Sequence, residues 1–165
     1  MTDNLQVRFR RAGAADLDYI MRQERHDENH SYIRQWTREK HLADLKDSNY
    51  AYFVVERVDS GKPVGFVILI GANDPDNNLE FKRIAISEKG RGYGREAVKL
   101  IKKFAFDETD THRLWLEVID YNERAYHIYE SEGFVKEGVH RESFLRDGRR
   151  ASLIVMSMLR PEYER

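Results

Sequence analysis

The sequence predicts one mixed α/β sheet of six to seven strands, flanked by about four helices. Two strand-like runs, residues 50–58 and 62–70, are joined through residues 59–61, whose Asp-Ser-Gly sequence is a hairpin signal. Residues 79–97 change from strand periodicity to helix periodicity across a glycine-rich turn. Asp147-Gly148 marks a second hairpin near the end of the chain. Hairpins on both sides of a strand-turn-helix unit favour a mixed sheet.

The first third of the chain predicts one strand and two helices before the first hairpin. We expect a strand at residues 7–11 and a helix at residues 14–23 that turns Leu17, Ile20 and Met21 to one face. The polar residues 25–31 predict a break. Thr37 is the expected N-cap of a second helix that runs to about residue 46, with Leu42 and Leu45 inward.

The rest of the chain predicts four more strands and two more helices. Residues 73–78 form a loop, and Asn122 begins a short helix that Gly133 ends in the left-handed conformation. The expected strands are residues 81–86, 113–119, 135–145 and 151–159, and the expected long helix is residues 95–106.

Length and composition bound the class of protein. The 165 residues suit a single domain spanning 1–165, and the net charge of −1 argues against a nucleic-acid binder. The absence of cysteine excludes disulfides and a thiol nucleophile. The longest apolar run, residues 66–70, is too short to cross a membrane, and no signal-peptide pattern begins the chain. We therefore expect a cytoplasmic protein without membrane or nucleic-acid partners.

The glycine-rich turn has the features of a phosphate site. Three glycines alternate with larger residues there, so backbone amides can turn inward without obstruction by a Cβ atom. The following helix adds the partial positive charge of its N-terminus. The alternating residues are Gly90, Arg91, Gly92, Tyr93, Gly94 and Arg95.

Two phosphate-binding patterns fit this turn. Residues 92–97 read as the dinucleotide fingerprint G-x-G-x-x-A, with Glu117 or Asp120 as the ribose-binding acid. That turn should follow the first strand of several βαβ units, whereas here it follows the fourth strand. Residues 89–94 instead resemble the Q/R-x-x-G-x-G/A turn of the GNAT superfamily of acetyl-CoA-dependent N-acetyltransferases, with Lys89 in place of Gln or Arg.

A second motif decides between the two patterns. Residues 122–134, NERAYHIYESEGF, are similar to the N-x-x-A-x-x-x-Y-x-x-x-G-F signature of the same superfamily, at the spacing the family shows. The chain is thus identified as resembling the GNAT superfamily, in its ribosomal-protein and spermidine acetyltransferase branch. The resemblance implies that acetyl-CoA binds in a V between the fourth and fifth strands and that its acetyl group passes directly to a primary amine.

The resemblance also implies which residues bind the cofactor. Strand backbone groups of Ile84, Ala85 and Ile86 would pair with the pantetheine arm. Asn122 would cap its helix and contact the cofactor. The amides that hold the pyrophosphate would come from Arg91, Gly92, Tyr93, Gly94, Arg95 and Glu96, where the arginines could add charge or be merely solvated.

Tyr129 is the candidate general acid. A phenol can protonate the departing thiolate, and residues 122, 125 and 129 share one helix face. Alternatively, Tyr129 is a core aromatic residue beside Ile128. The resemblance also places Tyr129 among the cofactor-binding residues.

A carboxylate is the expected general base, because an amine is protonated at neutral pH. Glu117 has apolar neighbours along its strand, where a carboxylate is costly unless paired or used. Its alternative role is an ion pair with Arg83 or His112. Glu80, on the neighbouring strand, is the second candidate, and the sequence does not rank the two glutamates.

The acceptor pocket should lie between the first two helices. Glu24, Asp27 and Glu28 there could form an acidic lip for a cationic amine, or a solvated turn. His26 and His30 lack a third ligand, so no metal is expected. A non-catalytic acyl-CoA-binding module and a nicotinamide oxidoreductase remain alternatives. The edge of the closing hairpin could pair with a second copy in a homodimer.

Overall fold

A computed structural model describes residues 4–165, in which one seven-stranded sheet confirms the predicted fold class. The strands are β1 (Val7–Arg11), β2 (Tyr50–Arg57), β3 (Pro63–Ile70), β4 (Asn78–Ile86), β5 (Arg113–Ile119), β6 (Val135–Arg146) and β7 (Arg149–Leu159). Their order in the sheet is β1-β2-β3-β4-β5-β7-β6. Within the described residues β4 and β5 run parallel, while the other neighbouring pairs are antiparallel.

The helices confirm the four predicted and add two short ones. They are α1 (Leu17–Arg25), α2 (Asp27–His30), α3 (Arg38–Lys46), α4 (Tyr93–Glu108), α5 (Glu123–Ser131) and α6 (Arg160–Tyr163), with a single 3-10 turn (Ala14–Asp16) before α1. Thr37 caps α3 as predicted, accepting a hydrogen bond from the Lys40 amide at 3.2 Å. The break predicted at residues 25–31 was wrong, because α2 forms there with the His26 side chain as its cap. No helix in residues 4–165 is long and apolar enough to cross a membrane.

Alternating side chains of the sheet pack into two apolar clusters on opposite faces. On β3, Val67 and Leu69 belong to the cluster beneath α4 and α5, whereas Phe66 and Ile68 belong to the cluster beneath α1 and α3. The sheet is therefore covered on both faces over β2, β3 and β4.

The β4–β5 pair determines where the cleft lies. Their ladder, as far as the described chain shows, consists of Asn78, Leu79 and Glu80 opposite Arg113, Leu114 and Trp115. These pairs start β4 at Asn78, three residues before the predicted strand. Beyond them the two strands diverge, and a register shift between Ile68 and Leu69 leaves Lys82 of β4 outside the β3 ladder. The expected V between the fourth and fifth strands is present.

Candidate active site

A cleft of about 1290 Å³ opens where β4 and β5 diverge. Its walls are the separated parts of β4 and β5, the N-terminus of α4, and α5. It brings together most of the residues that the sequence singled out, namely Glu80, Ile84, Ile86, Gly92, Tyr93, Gly94, Arg95, Glu117, Asn122 and Tyr129. The Ala85 side chain instead packs in the apolar cluster beneath α1 and α3, so Ala85 can offer only backbone groups.

The glycine turn forms an open cradle at one end of this cleft. Gly92 is the N-cap of α4 with φ of 80°, a left-handed conformation that glycine adopts without strain. A Cβ atom placed on Gly90 or Gly92 would meet no atom within 4 Å. The first amides of α4 lack intrahelical acceptors, and a glycine cap offers them no side-chain oxygen. The residues therefore fit a pyrophosphate held by backbone amides.

The side chains around this turn contact other parts of the protein. Arg95 Nη1 donates to Ser131 Oγ at 2.6 Å and pairs with Glu132 Oε2 at 3.0 Å, which ties α4 to the end of α5. Arg91 Nε lies 3.5 Å from Glu88 Oε2. Tyr93 is buried in the core, and Glu96 Oε1 accepts from the Gln6 amide at 2.6 Å. Arg91 and Arg95 each lie beside a glutamate, while the first backbone amides of α4 lack an intrahelical acceptor.

Lys89 is a cation in the cleft that the sequence analysis treated only as a departure from the motif. Lys89 is an exposed residue, and the partial desolvation of its ammonium lowers the pKa of that group. Lys89 Nζ lies 3.4 Å from Oδ1 of buried Asn29, which also lines the cleft. The signal was available, since Lys89 occupies the first position of the glycine-turn motif.

Tyr129 is both a core aromatic and a cleft residue. Its ring packs edge-on against Phe81 and Phe134, with centroid separations of 5.5 and 6.0 Å. Burial raises the pKa of the Tyr129 phenol, so the hydroxyl keeps its proton at neutral pH. Asn122 caps α5 by accepting from the Ala125 amide at 3.3 Å, as predicted, and lines the cleft as well.

Glu80 and Glu117 lie near the apex of the cleft, on one face of the sheet. Burial raises the pKa of the Glu80 carboxyl, and the charge of Glu117 contributes to the rise. The Glu117 side chain is 26% exposed, and its Oε2 atom lies 3.8 Å from Nδ1 of His140. The partner that lies near Glu117 is thus His140, rather than the Arg83 or His112 of the alternative interpretation.

Arg83 is paired instead with Glu24, in a buried polar network between α1, α3 and the sheet. Glu24 Oε1 lies 2.8 Å from His41 Nε2, and His41 Nδ1 lies 2.8 Å from the Tyr52 hydroxyl. The Arg83 guanidinium lies 4.0 Å from the ring centre of Trp36. Glu24 is only 1% exposed, so its predicted place in an acidic lip was wrong.

The structure describes the side chain of only one of the other two acids of that predicted lip. Glu28 lines the cleft, while the Asp27 side chain lies outside the described part of the structure. His26 Nδ1 accepts from the Glu28 amide, and His30 Nδ1 lies 3.0 Å from Gln35 Nε2. The side chains that the structure describes contain no group of three or more residues able to hold a metal ion.

Comparisons with known proteins agree with this geometry. Residues 17–134 match the acetyltransferase (GNAT) family. The chain is 31% identical to a spermidine N(1)-acetyltransferase of Escherichia coli (strain K12) over 168 residues, covering 95% of this chain and 88% of the relative. It is 32% identical to the Vibrio cholerae serotype O1 spermidine N(1)-acetyltransferase over 125 residues, covering 75% of this chain and 70% of the relative.

Solved structures agree as well. A crystal structure of spermidine N-acetyltransferase from Vibrio cholerae in complex with CoA and spermine superposes with a TM-score of 0.88 at 27% identity. The match covers 97% of this chain and 99% of that one.

A side chain at Gly92 should block the cradle. In Gly92→Val the new atoms occupy the space open to phosphate, and we expect acetyl-CoA affinity to fall at least about tenfold, equivalent to about 1.4 kcal/mol. Valine at this positive φ also lowers the free energy of unfolding by about 1–2 kcal/mol. Calorimetric titration with acetyl-CoA and urea unfolding measure the two effects separately.

Gly148→Val is the matched control for backbone strain. Gly148 has φ of 75° and equally open surroundings, but it lies in the β6–β7 turn. This variant should lose similar stability and keep its affinity for acetyl-CoA. Unchanged affinity in Gly92→Val would place the pyrophosphate elsewhere.

Proposed function

This chain belongs to the GNAT family of acetyltransferases, and we propose that the amine it acetylates is a polyamine such as spermidine. It is an N-acetyltransferase that transfers an acetyl group from acetyl-CoA to a primary amine. The observation that carries the proposed acceptor is the pair of carboxylates, Glu80 and Glu117, at the apex of the cofactor cleft. Carboxylates at that point favour a cationic amine, and similarity to spermidine acetyltransferases along nearly the whole chain supports the same class.

The alternatives are less consistent with the molecule. The dinucleotide interpretation requires the glycine turn after the first strand of a parallel unit, whereas the turn follows β4, which is antiparallel to β3. A non-catalytic acyl-CoA module does not account for a protonated phenol and two carboxylates in one cleft.

Acetyl-CoA is held largely by the backbone in this proposal. Amides of Gly92, Tyr93 and Gly94 bind the pyrophosphate at the start of α4. The part of β4 that has left β5 offers unpaired groups around Ile84 and Ile86 to the amide-bearing pantetheine arm. Positioning along this edge supplies much of the catalysis.

Two protein groups transfer protons in the proposed reaction. Bound acetyl-CoA supplies a thioester that an unprotonated amine attacks directly, so a C–N bond forms and the C–S bond breaks. Glu80 accepts the proton of the arriving ammonium, because its raised pKa makes it a stronger base than an ordinary carboxylate. Tyr129 donates its proton to the departing sulfur, and the second proton that the amine nitrogen loses passes through solvent to the Tyr129 phenolate, which becomes a phenol again. Glu117 holds the ammonium beside Glu80. In this proposal the acetyl transfer uses no metal ion.

We also propose a cytoplasmic enzyme that forms a homodimer. The edge strand β6 exposes Val135 and Val139, which a second copy could cover.

The acceptor is tested by comparing amines. Thiol release from acetyl-CoA would be followed with spermidine, spermine and a basic peptide bearing a free N-terminus, and the products identified by mass spectrometry. We expect kcat/KM for spermidine to exceed that for the peptide by at least about tenfold, since two or more ammonium charges meet the acidic apex. Preference for the peptide would contradict the polyamine proposal. Tight acetyl-CoA binding without turnover would favour the non-catalytic module.

Tyr129→Phe should separate catalysis from packing. The ring that packs on Phe81 and Phe134 is kept and the proton is lost, so kcat should fall by roughly 10²–10⁴. Acetyl-CoA affinity and unfolding free energy should change little. The matched control is Tyr126→Phe on the same helix, which should keep kcat. Wild-type turnover in Tyr129→Phe would remove it as the acid.

The two glutamates should differ in their pH profiles. A base must be deprotonated to act, so kcat should fall as pH drops through the raised pKa of Glu80. Glu80→Gln should lower kcat by roughly 10²-fold or more and abolish this acidic limb. Glu117→Gln should mainly raise KM for the amine and retain the limb. The reverse pattern would make Glu117 the base.

A further inference from the structure

A second groove lies behind the apex of the cofactor cleft. It has a volume of about 760 Å³ and shares Glu80 with the cleft. Its other polar and aromatic walls include Asn49, Asp74, Asn78 and Trp115. Glu80 therefore borders both the cleft and this groove.

The strand register places Glu80, Trp115 and Glu117 on one face of the sheet. Glu80 is directly opposite Trp115 in the β4–β5 ladder, and directly opposite residues project from the same face of a sheet. Trp115 and Glu117 are two residues apart on β5, so they share that face at a spacing of about 7 Å. Glu80 and Trp115 therefore lie side by side, one step along the sheet from Glu117, and this arrangement suits an extended chain rather than a compact one.

The charges around the groove favour a cation. Asp74 Oδ2 accepts from the Asn78 amide at 2.8 Å, and this hydrogen bond lowers the pKa of the Asp74 carboxyl, which is therefore ionised at neutral pH. Arg113 also lines the groove, with its guanidinium 5.4 Å from the Trp115 ring centre. Glu137 binds that guanidinium through two hydrogen bonds of 2.9 Å, which offset its charge.

We propose that this groove is a subsite for the second ammonium of the acceptor and for the alkyl spacer that precedes it. Trp115 packs on the methylene groups, and Asp74 faces the distal charge. The ligand class is an extended aliphatic diamine or longer polyamine. The inference rests on the proposed function and adds what selects a polyamine over a simple amine.

The test compares 1,4-diaminobutane and longer α,ω-diamines with monoalkylamines of the same chain length. The ratio of kcat/KM for each diamine to that for its monoamine would be measured in the wild-type protein, Trp115→Leu and Asp74→Asn. We expect the ratio to favour diamines in the wild type and to fall about tenfold in each variant, mainly through KM for the diamine. Asp74→Asn retains an oxygen that can accept from the Asn78 amide, so the loop should persist if Trp115→Leu proves unstable.

Val139→Ala is the matched control. Val139 borders a neighbouring groove but lines neither the cofactor cleft nor the proposed subsite, and its variant should keep the wild-type ratio. A ratio that Asp74→Asn leaves unchanged, or a wild-type enzyme that acetylates monoamines as well as diamines, would overturn the subsite and leave amine acetylation intact. Failure to acetylate any amine of the series would overturn the proposed function itself.

Discussion

The early separation of β4 from β5 is the constraint on which the rest of the site depends. Three residues of each strand pair, and from there the facing backbone groups of both strands lack a ladder partner in the described chain. Unpaired backbone groups away from water are costly, so such an edge persists only where solvent or a ligand can satisfy it. The cofactor has amides in its pantetheine arm, and we therefore propose that the divergence of the strands is itself the binding site. Glu80 is the last residue of β4 that pairs with β5, so it lies at the apex of the cleft.

Burial on the cofactor side gives the reactive groups their properties. Phe81 of β4, Tyr129 of α5 and Phe134 form an aromatic group in the larger apolar cluster. This packing keeps the Tyr129 phenol protonated and also joins α5 to β4. A change that loosens the packing would alter proton donation and cleft width together, which is why removing the hydroxyl alone is more informative than truncating the ring.

The sequence predicted most elements because each has a local signal. The hairpin turns, the Thr37 and Asn122 caps and the glycine turn depend on nearby residues, and the structure has them where the sequence placed them. Nearby residues could not predict the partners of Glu24 and Glu117. Glu24 contacts residues 17 and 59 positions away in sequence, and Glu117 lies near a residue 23 positions away. One signal for Glu24 was present: it follows Leu17 and Ile20 at helical spacing on the buried face of α1.

The network around Glu24 makes the face of the sheet beneath α1 and α3 differ from the face beneath α4 and α5. Two buried charges cost several kcal/mol each unless their hydrogen bonds are satisfied, and apolar residues of similar volume often stabilise as well or better. Glu24 meets this cost with Arg83 and His41, and Arg83 also packs on Trp36. Apolar packing would hold α1 on the sheet but leave its rotation free to vary, whereas these directional contacts fix α1 relative to β4. Because the chain after α1 supplies Asn29 and Ile33 to the cleft, fixing that rotation also constrains the width of the cleft.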